Sequence, residues 1–396
     1  MKKILFDFLT FQDRILNGGY LYARTVLLGL IKKGASIVGV CENQDALNED
    51  IKKIVKENNI KVLLGLDNLE KIVEEEKIDA FFISIAQRYK DIDVSNLKCK
   101  IYIVCHDVWD LCLAGAGIGN LPDVDSAMMK LDGKGKRKLR LIKNSIKRIL
   151  SKKRIVDAEI PSSVLIKEYN YGLLNQLFKK DNVQVITVSE YSKGAIEYYF
   201  EDVKNPIKVF ACPKIERLTE KESESIREKV DGKKYFLLLS VNRYNKNVSV
   251  FLKQFSKFNQ SQDGSFSAIL LGTSYQDESE NIIGIPRVND SEMAYLMNNA
   301  YALIYPSLVE GFGLPPVEAM EFGTPVIASF NTSIPEVCGD GALYFNPVYP
   351  EDLYAKCKFL VENYQERVDK AKAQYKIITL KMQEDLQRLL DYILEE

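Results

Sequence analysis

The sequence predicts an α/β protein built from two doubly wound parallel-sheet domains, and three observations carry that prediction. The chain has 396 residues, too many for one ordinary core and suited to two domains of roughly 180 residues each. Short apolar runs rich in Ile, Val and Phe alternate with helical patterns, as in a parallel sheet covered on both faces. Gly, His, Arg and Lys positions of chemical interest fall directly after such runs, at the carboxyl ends of strands, where these sheets bind ligands.

Lys3 to Phe8 is the first strand. Met-Lys-Lys-Ile-Leu-Phe begins like a signal peptide, but Asp7 interrupts it after a short apolar run, so a strand is the better reading. Gly18 and Gly19 stand between this strand and an amphipathic helix that runs to about Lys33. They either make a plain turn or let a ligand approach the backbone. Further strands are expected at Ser36 to Cys41, Lys61 to Leu64, Ala80 to Ile85 and Ile101 to Cys105. His106, the only histidine of the chain, follows the last of these with Asp107 beside it.

From Trp109 to about Ser162 the pattern changes, and residues 132–154 are densely basic. Leu139, Ile142, Ile146, Ile149 and Leu150 recur at helical spacing there, either as a helix on an anionic membrane surface or as a stripe packed on its own domain. Interleaved aromatic stacking residues are missing from the stretch, so nucleic acid is not an expected partner. Val183 to Val188 reads as a strand, and Ser189-Glu-Tyr-Ser192 as the capping sequence of the next helix.

Ile207 to Pro213 closes the first half, and the polar stretch Thr219 to Lys234 separates it from a central strand at Tyr235 to Val241. Arg243 and Lys246 come next, at the start of a helix. Two cations in that position suit a diphosphate, Arg as a bidentate fork and Lys as a point charge. After a strand at Phe266 to Leu271, Arg287-Val288-Asn289-Asp290 leads into a helix with Asp290 as its expected cap. Ala302 to Tyr305 and Val326 to Ala328 then flank the loop Glu310-Gly311-Phe312-Gly313 and a short helix. Pro315 and Pro316 suit its first turn and Gly323 its C-terminal cap. Such a helix aims unpaired N–H groups back at the loop, which favours an anion. Glu310 and Glu318 bracket that end with seven residues between them. A phosphate would repel both, so each is expected to face hydroxyls or solvent. A strand at Ala342 to Phe345 and helices over Pro350 to Tyr364 and Lys372 to Leu394 complete the chain.

Composition narrows the function classes. The chain is 46% hydrophobic and 28% charged, as in a globular protein, and its net charge of −1 gives no global attraction to nucleic acid or membrane. Seven cysteines without C-x-x-C spacing read as reduced core thiols. No run approaches the length of a membrane-spanning helix, and a cytoplasmic protein is expected.

Glu310, seven residues and Glu318, with Gly-Phe-Gly-Leu-Pro between, Tyr305-Pro-Ser before and Gly323-Thr-Pro-Val-Ile-Ala-Ser329 after, resemble the E-x7-E signature of retaining glycosyltransferases of family 4. The resemblance implies the GT-B fold, two Rossmann-like domains facing across a cleft. Residues 1–213 would then bind the acceptor and carry a basic insertion at about 115–160. Residues 214–375 would bind the nucleotide sugar, and 376–396 would be a helix crossing back. By the same resemblance Arg243 and Lys246 hold the diphosphate, although their spacing is shorter than the family's commonest form, and Gly311, Phe312, Gly313 and Leu314 support phosphate and sugar. Glu310 contacts sugar hydroxyls, Glu318 the ribose, and Arg287 and Val288 the nucleobase edge. Gly18 and Gly19 line the donor phosphate and the acceptor, and His106 donates a hydrogen bond to a sugar hydroxyl or an acceptor oxygen.

The implied activity is transfer of a sugar, with retained configuration, from a nucleotide-diphosphate sugar (UDP type) to a glycan or lipid-linked acceptor. Neither a cofactor nor a metal is expected, since Asp123-Val-Asp125 has a metal-pair spacing but lies in the insertion. Residues 132–154 would touch the inner face of the cell membrane. Alternatives are an inactive GT-B subunit bound to a partner enzyme and a glycan phosphorylase, for whose pyridoxal-phosphate lysine no motif is evident. A dinucleotide-binding protein lacks its G-x-G-x-x-G.

Overall fold

A computed structural model describes residues 2–12, 18–115, 162–214, 224–278, 281–347 and 349–395. The expectations for the basic stretch 132–154 and for Asp123 and Asp125 therefore lie outside the described residues.

Two seven-stranded sheets organise the chain, in the order β3-β2-β1-β4-β5-β6-β7 and β10-β11-β9-β8-β12-β13-β14. The first comprises β1 (Lys3–Asp7), β2 (Ser36–Cys41), β3 (Lys61–Leu64), β4 (Ala80–Ile83), β5 (Lys100–Val104), β6 (Val183–Thr187) and β7 (Lys208–Val209). The second comprises β8 (Lys234–Leu238), β9 (Phe266–Leu271), β10 (Gln276–Asp277), β11 (Ile282–Ile285), β12 (Ala302–Tyr305), β13 (Val326–Ser329) and β14 (Ala342–Phe345). All pairs are parallel except β10–β11. Four-residue runs buried at every position, such as Ala80–Ile83 and Ala302–Tyr305, are central strands covered on both faces. The exposed ends of Lys61–Leu64 suit an edge. The hairpin β10–β11 was not expected, because the sequence reading passes from Leu271 straight to Arg287.

The helices are α1 (Gly18–Lys32), α2 (Glu49–Glu57), α3 (Leu69–Glu75), α4 (Trp109–Gly115), α5 (Ser162–Glu168), α6 (Gly172–Leu177), α7 (Glu190–Tyr199), α8 (Glu224–Val230), α9 (Val248–Gln260), α10 (Asp290–Asn299), α11 (Leu314–Glu321), α12 (Ile334–Cys338), α13 (Pro350–Glu362) and α14 (Tyr364–Glu395). Gly18 and Gly19 form the first turn of α1 rather than a loop before it. Asp290 is not the cap of α10. Asn289 is, accepting from the Glu292 amide at 2.8 Å while the Glu292 carboxylate accepts from the Asn289 amide, a reciprocal capping box.

Chain order decides where the ligand crevices fall. In each sheet the order reverses once, between β1 and β4 and between β8 and β12. The crevice outside the carboxyl ends of such a strand pair is the binding position of doubly wound sheets. The loop after β8 carries Arg243 and Lys246 and the loop after β12 carries Glu310, so both meet at one switch point.

Helix α14 starts at Tyr364 and runs 32 residues without interruption. Its first half packs on the second sheet's layer, where Arg367 donates to the Asp340 carbonyl at 2.8 Å. Its second half reaches the first sheet's layer. Asp385 accepts from the Ala211 amide at 3.0 Å, Tyr392 donates to the Gln184 side chain at 2.8 Å, and Asp391 pairs with Lys33. Leu390 lies against Gly29 of α1, where a β-carbon would stand 2.6 Å from Leu390 Cδ1 and push that side chain aside. The helix thereby joins one apolar cluster that draws on both sheets, from Ile4 and Phe82 to Leu237 and Leu303.

Candidate active site

The loop after β12 is pinned along its length. Leu308 donates its amide to the Asn245 carbonyl at 2.7 Å, and the Glu310 amide donates to Thr332 Oγ1 at 3.1 Å. Ser333 Oγ donates to the Glu310 carbonyl at 2.9 Å and the Phe312 carbonyl at 3.1 Å. Gly313 takes φ +99°, a conformation that favours glycine, and turns the chain into α11, whose second and third residues are Pro315 and Pro316. Among the described residues no acceptor takes the amide hydrogens of Phe312, Gly313 or Leu314, so donors with helix polarity converge at this end.

Lys246 and Glu310, 64 residues apart, form a largely buried ion pair, Nζ to Oε1 2.5 Å, with 9% and 15% of the side chains exposed. Lys246 also donates to the Tyr305 hydroxyl at 2.9 Å. Pairing of β8 with β12 brings them together, through Ala302 beside Phe236 and Leu303 beside Leu237. Arg243 is exposed on the same loop, and Asn247 adopts φ 49° to turn the chain into α9. The short Arg243–Lys246 spacing thus leaves Arg243 at the surface and buries Lys246 against Glu310.

The first sheet presents its own residues to this loop. An ideal β-carbon on Gly311 would lie 2.3 Å from the His106 carbonyl oxygen and 3.1 Å from Asp107 Oδ2, so the two backbones touch. Ser189 Oγ donates to the Gly311 carbonyl at 2.6 Å, and Ser192 Oγ reaches the His106 carbonyl at 3.0 Å and the Gly311 carbonyl at 3.2 Å. Beside them the Glu336 carboxylate accepts from the amides of Glu190 and Tyr191 at 3.0 and 3.3 Å, closing the N-terminus of α7 from the opposite side of the cleft. Sequence reasoning saw only the cap in Ser189 and Ser192. The cap exists, with the Ser192 amide donating to Ser189 Oγ at 3.1 Å, but the hydroxyls also stitch the two halves together.

His106 Nε2 lies 3.0 Å from the Ser84 carbonyl. A carbonyl only accepts, so this nitrogen carries the proton and Nδ1 is left as an acceptor. Burial holds the ring well below the usual histidine range, at about 4, against the smaller opposing effect of the Ser84 bond. The imidazole is therefore neutral at pH 7, and its N–H is already engaged by Ser84. The N–H expected to donate to a ligand is thus already spent on Ser84, and Nδ1 is the ring nitrogen left able to accept. Tyr22 packs edge-on against the ring at 4.6 Å and fixes its plane. Burial, reinforced by the Glu310 charge, raises Asp107 to about 7. Gln87 Nε2 donates to the Asp107 carbonyl at 2.5 Å.

The remaining expected residues lie around this centre. Gly18 faces Leu314, whose Cδ1 would be 3.7 Å from a β-carbon there, so α1 and α11 begin opposite one another. Glu318 borders a gap between α11 and α14, with Lys214, Val317, Glu321 and Tyr375. Arg287 is exposed and Val288 half-buried after β11, two places from β8 in the sheet. Glu336, Ser84, Tyr305 and the Asn331–Ser333 turn were missed as site residues, because each acts through a contact distant in sequence.

Residues 219–377 match the family described as glycosyl transferases group 1. The O-antigen chain mannosyltransferase RfbU of Salmonella typhimurium is 30% identical over 200 residues, 47% of this chain and 53% of that protein. The α-1,3/1,6-mannosyltransferase ALG2 of Debaryomyces hansenii is 27% identical over 217 residues, 42% of this chain and 44% of that one. The chain thus spans about half the length, or less, of the curated relatives it matches. Among solved structures, Anabaena HepE in complex with UDP superposes with TM-score 0.63 at 14% identity, covering 100% of both chains. WaaG, a glycosyltransferase involved in lipopolysaccharide biosynthesis, superposes with TM-score 0.61 at 12% identity, covering 98% of this chain and 99% of that one. The chain therefore has the GT-B fold, and its residues 219–377 match the model of glycosyl transferases group 1.

Proposed function

We propose that the protein is a retaining glycosyltransferase that moves a sugar from a nucleotide-diphosphate donor to a glycan or lipid-linked acceptor in surface-polysaccharide synthesis. The observation that carries this reading is the meeting of Lys246, Glu310 and the free amides of residues 312–314 with His106 across the cleft. The relatives named as mannosyltransferases support mannosyl as the group moved, and the UDP-bound neighbour supports a nucleoside diphosphate in the donor site.

In this reading Arg243, at the surface, meets the diphosphate first, and Lys246 shares its charge between Glu310 and the phosphate. The amides of Phe312 to Leu314 take up charge as the sugar–phosphate bond breaks. Glu310 and the acceptor nitrogen of His106 hold sugar hydroxyls, and Glu318 holds the ribose. The acceptor hydroxyl attacks on the face the phosphate leaves, and the leaving phosphate oxygen takes its proton, so no side chain is needed as nucleophile or base. Metal-independent transfer is part of the proposal.

A thermal-shift screen against UDP, GDP, ADP and dTDP, with and without EDTA, tests it, since a ligand of the folded state raises the melting temperature by mass action. One nucleotide should shift the wild type, indifferently to EDTA, and fail with Arg243→Ala. Silence from all four would move the assignment to an inactive subunit.

A further inference from the structure

We propose that Trp109 and Tyr244 form a saccharide subsite across the mouth of the cleft, holding a sugar ring of the acceptor. The inference rests on the transfer reading above and extends it to residues outside the donor motifs.

Trp109 is the only tryptophan of the chain. It opens α4 two residues after Asp107 and keeps 37% of its surface exposed. Its ring meets that of Tyr244 edge to face, centroids 5.6 Å apart at 62°. Tyr244 stands between Arg243 and Lys246, in the opposite half of the molecule. A large aromatic ring left in water beside a cleft, with a second ring at an angle to it, is an apolar corner of the kind that ligand pockets use.

Polar groups surround this corner. Burial raises the Tyr244 phenol, and Asp110 follows Trp109 directly in α4. Asp110 accepts from the Tyr171 hydroxyl at 3.0 Å with either carboxylate oxygen, so its position is fixed. An acyl chain gains nothing from a carboxylate at this corner. A sugar uses both parts, its C–H face on the rings and its hydroxyls on the rim. A nucleobase would also stack, but Trp109 belongs to the half that does not carry the diphosphate clamp. Arg287 and Val288, the expected base edge, lie on the far side of β9 from β8.

The test uses the full chain and the emission of Trp109, which no other tryptophan obscures. Methyl glycosides of mannose, glucose, galactose and N-acetylglucosamine are titrated to about 0.1 M, a range that reaches well past millimolar affinity. At least one should give a saturable change in emission. Tyr244→Ala should weaken it about tenfold and Tyr244→Phe restore it. Trp109→Ala should leave the nucleotide-induced thermal shift intact and raise the KM for acceptor more than it lowers kcat. A nucleotide shift with no response to any glycoside overturns the subsite and leaves the transfer reading standing. A response to uridine alone overturns it in favour of the nucleobase. A glycoside response without any nucleotide shift supports the subsite and sinks the transfer reading.

Discussion

Replacing Gly311 by alanine tests whether contact between the two halves is part of the working site. The backbone of Gly311 is outside the left-handed region, so alanine is allowed there conformationally. Its methyl carbon, however, would stand 2.3 Å from the His106 carbonyl oxygen, with Asp107 behind it at 3.1 Å. A carbon and a carbonyl oxygen rest at about 3.3–3.6 Å, so the loop and the strand end must part by about 1 Å. Parting stretches the Ser189 and Ser192 bonds to the Gly311 carbonyl, each worth about 1 kcal/mol net, and overpacking adds a similar amount. A penalty of about 2–3 kcal/mol on the closed arrangement lowers the closed-to-open ratio about 30- to 150-fold. Steady-state sugar transfer from the donor identified by the nucleotide screen should fall in kcat/KM by up to that factor. Neither sheet is touched, so far-ultraviolet circular dichroism should be unchanged. Turnover within twofold of wild type would show that this contact is incidental and refute the reasoning.

Lys246→Met strands Glu310 in a site with little solvent. Breaking a buried pair from one side costs about 3 kcal/mol or more, whereas the double variant Lys246→Met, Glu310→Gln should recover most of that loss in urea denaturation while remaining inactive. Asp107 gives a pH signature. Its folded-state value, about 7, lies above the unfolded carboxylate value, so the native state binds the extra proton between them. Stability from this group is present at low pH and falls as pH rises from about 4 to 7; Asp107→Asn should remove that component from the melting temperature measured against pH, and an unchanged profile would refute it. Asp385→Asn, at a carboxylate 4% exposed that accepts from Ala211 and pairs with Arg388 at 2.6 Å, should cost about 1–3 kcal/mol and speed hydrogen exchange in the last turns of α14.

The fold was legible because central strands of a parallel sheet are apolar on both faces and leave unbroken runs. Ala302–Tyr305, Phe266–Leu271 and Ala342–Phe345 fall where the runs are. The hairpin β10–β11 was not legible, since Gln276–Asp277 has no apolar pattern and Gly284 interrupts the four residues of β11. Gly284 itself has a tertiary reason: a β-carbon there would meet the Tyr275 carbonyl at 2.2 Å. The cap of α10 was misplaced by one residue because Asn289 and Asp290 are both good caps, and only the backbone angle decides between them.

The site divides along the same line, and the division has a physical cause. Arg243, Lys246, Glu310 and the glycine turn are local to strand ends, so their order in the chain announces them. What the local signals cannot carry is partnership. Lys246 reads as a free cation and is an ion pair. His106 reads as a donor to the ligand, but its N–H is already donated to the Ser84 carbonyl at the neighbouring strand's end, which leaves Nδ1 as the nitrogen able to accept. Ser189 and Ser192 read as a helix cap and are also the hydroxyls that hold Gly311. Each correction comes from a residue on a strand or helix made adjacent by the fold, and the first two make the site more neutral. Lysine is matched by Glu310, the histidine is uncharged and Asp107 is half protonated near pH 7. A centre so balanced leaves Arg243 as the exposed cation of the clamp, so an arriving anion is drawn to that side chain first. Loss of Arg243 should therefore slow nucleotide association more than it speeds release, the signature of a steering charge rather than a buried anchor.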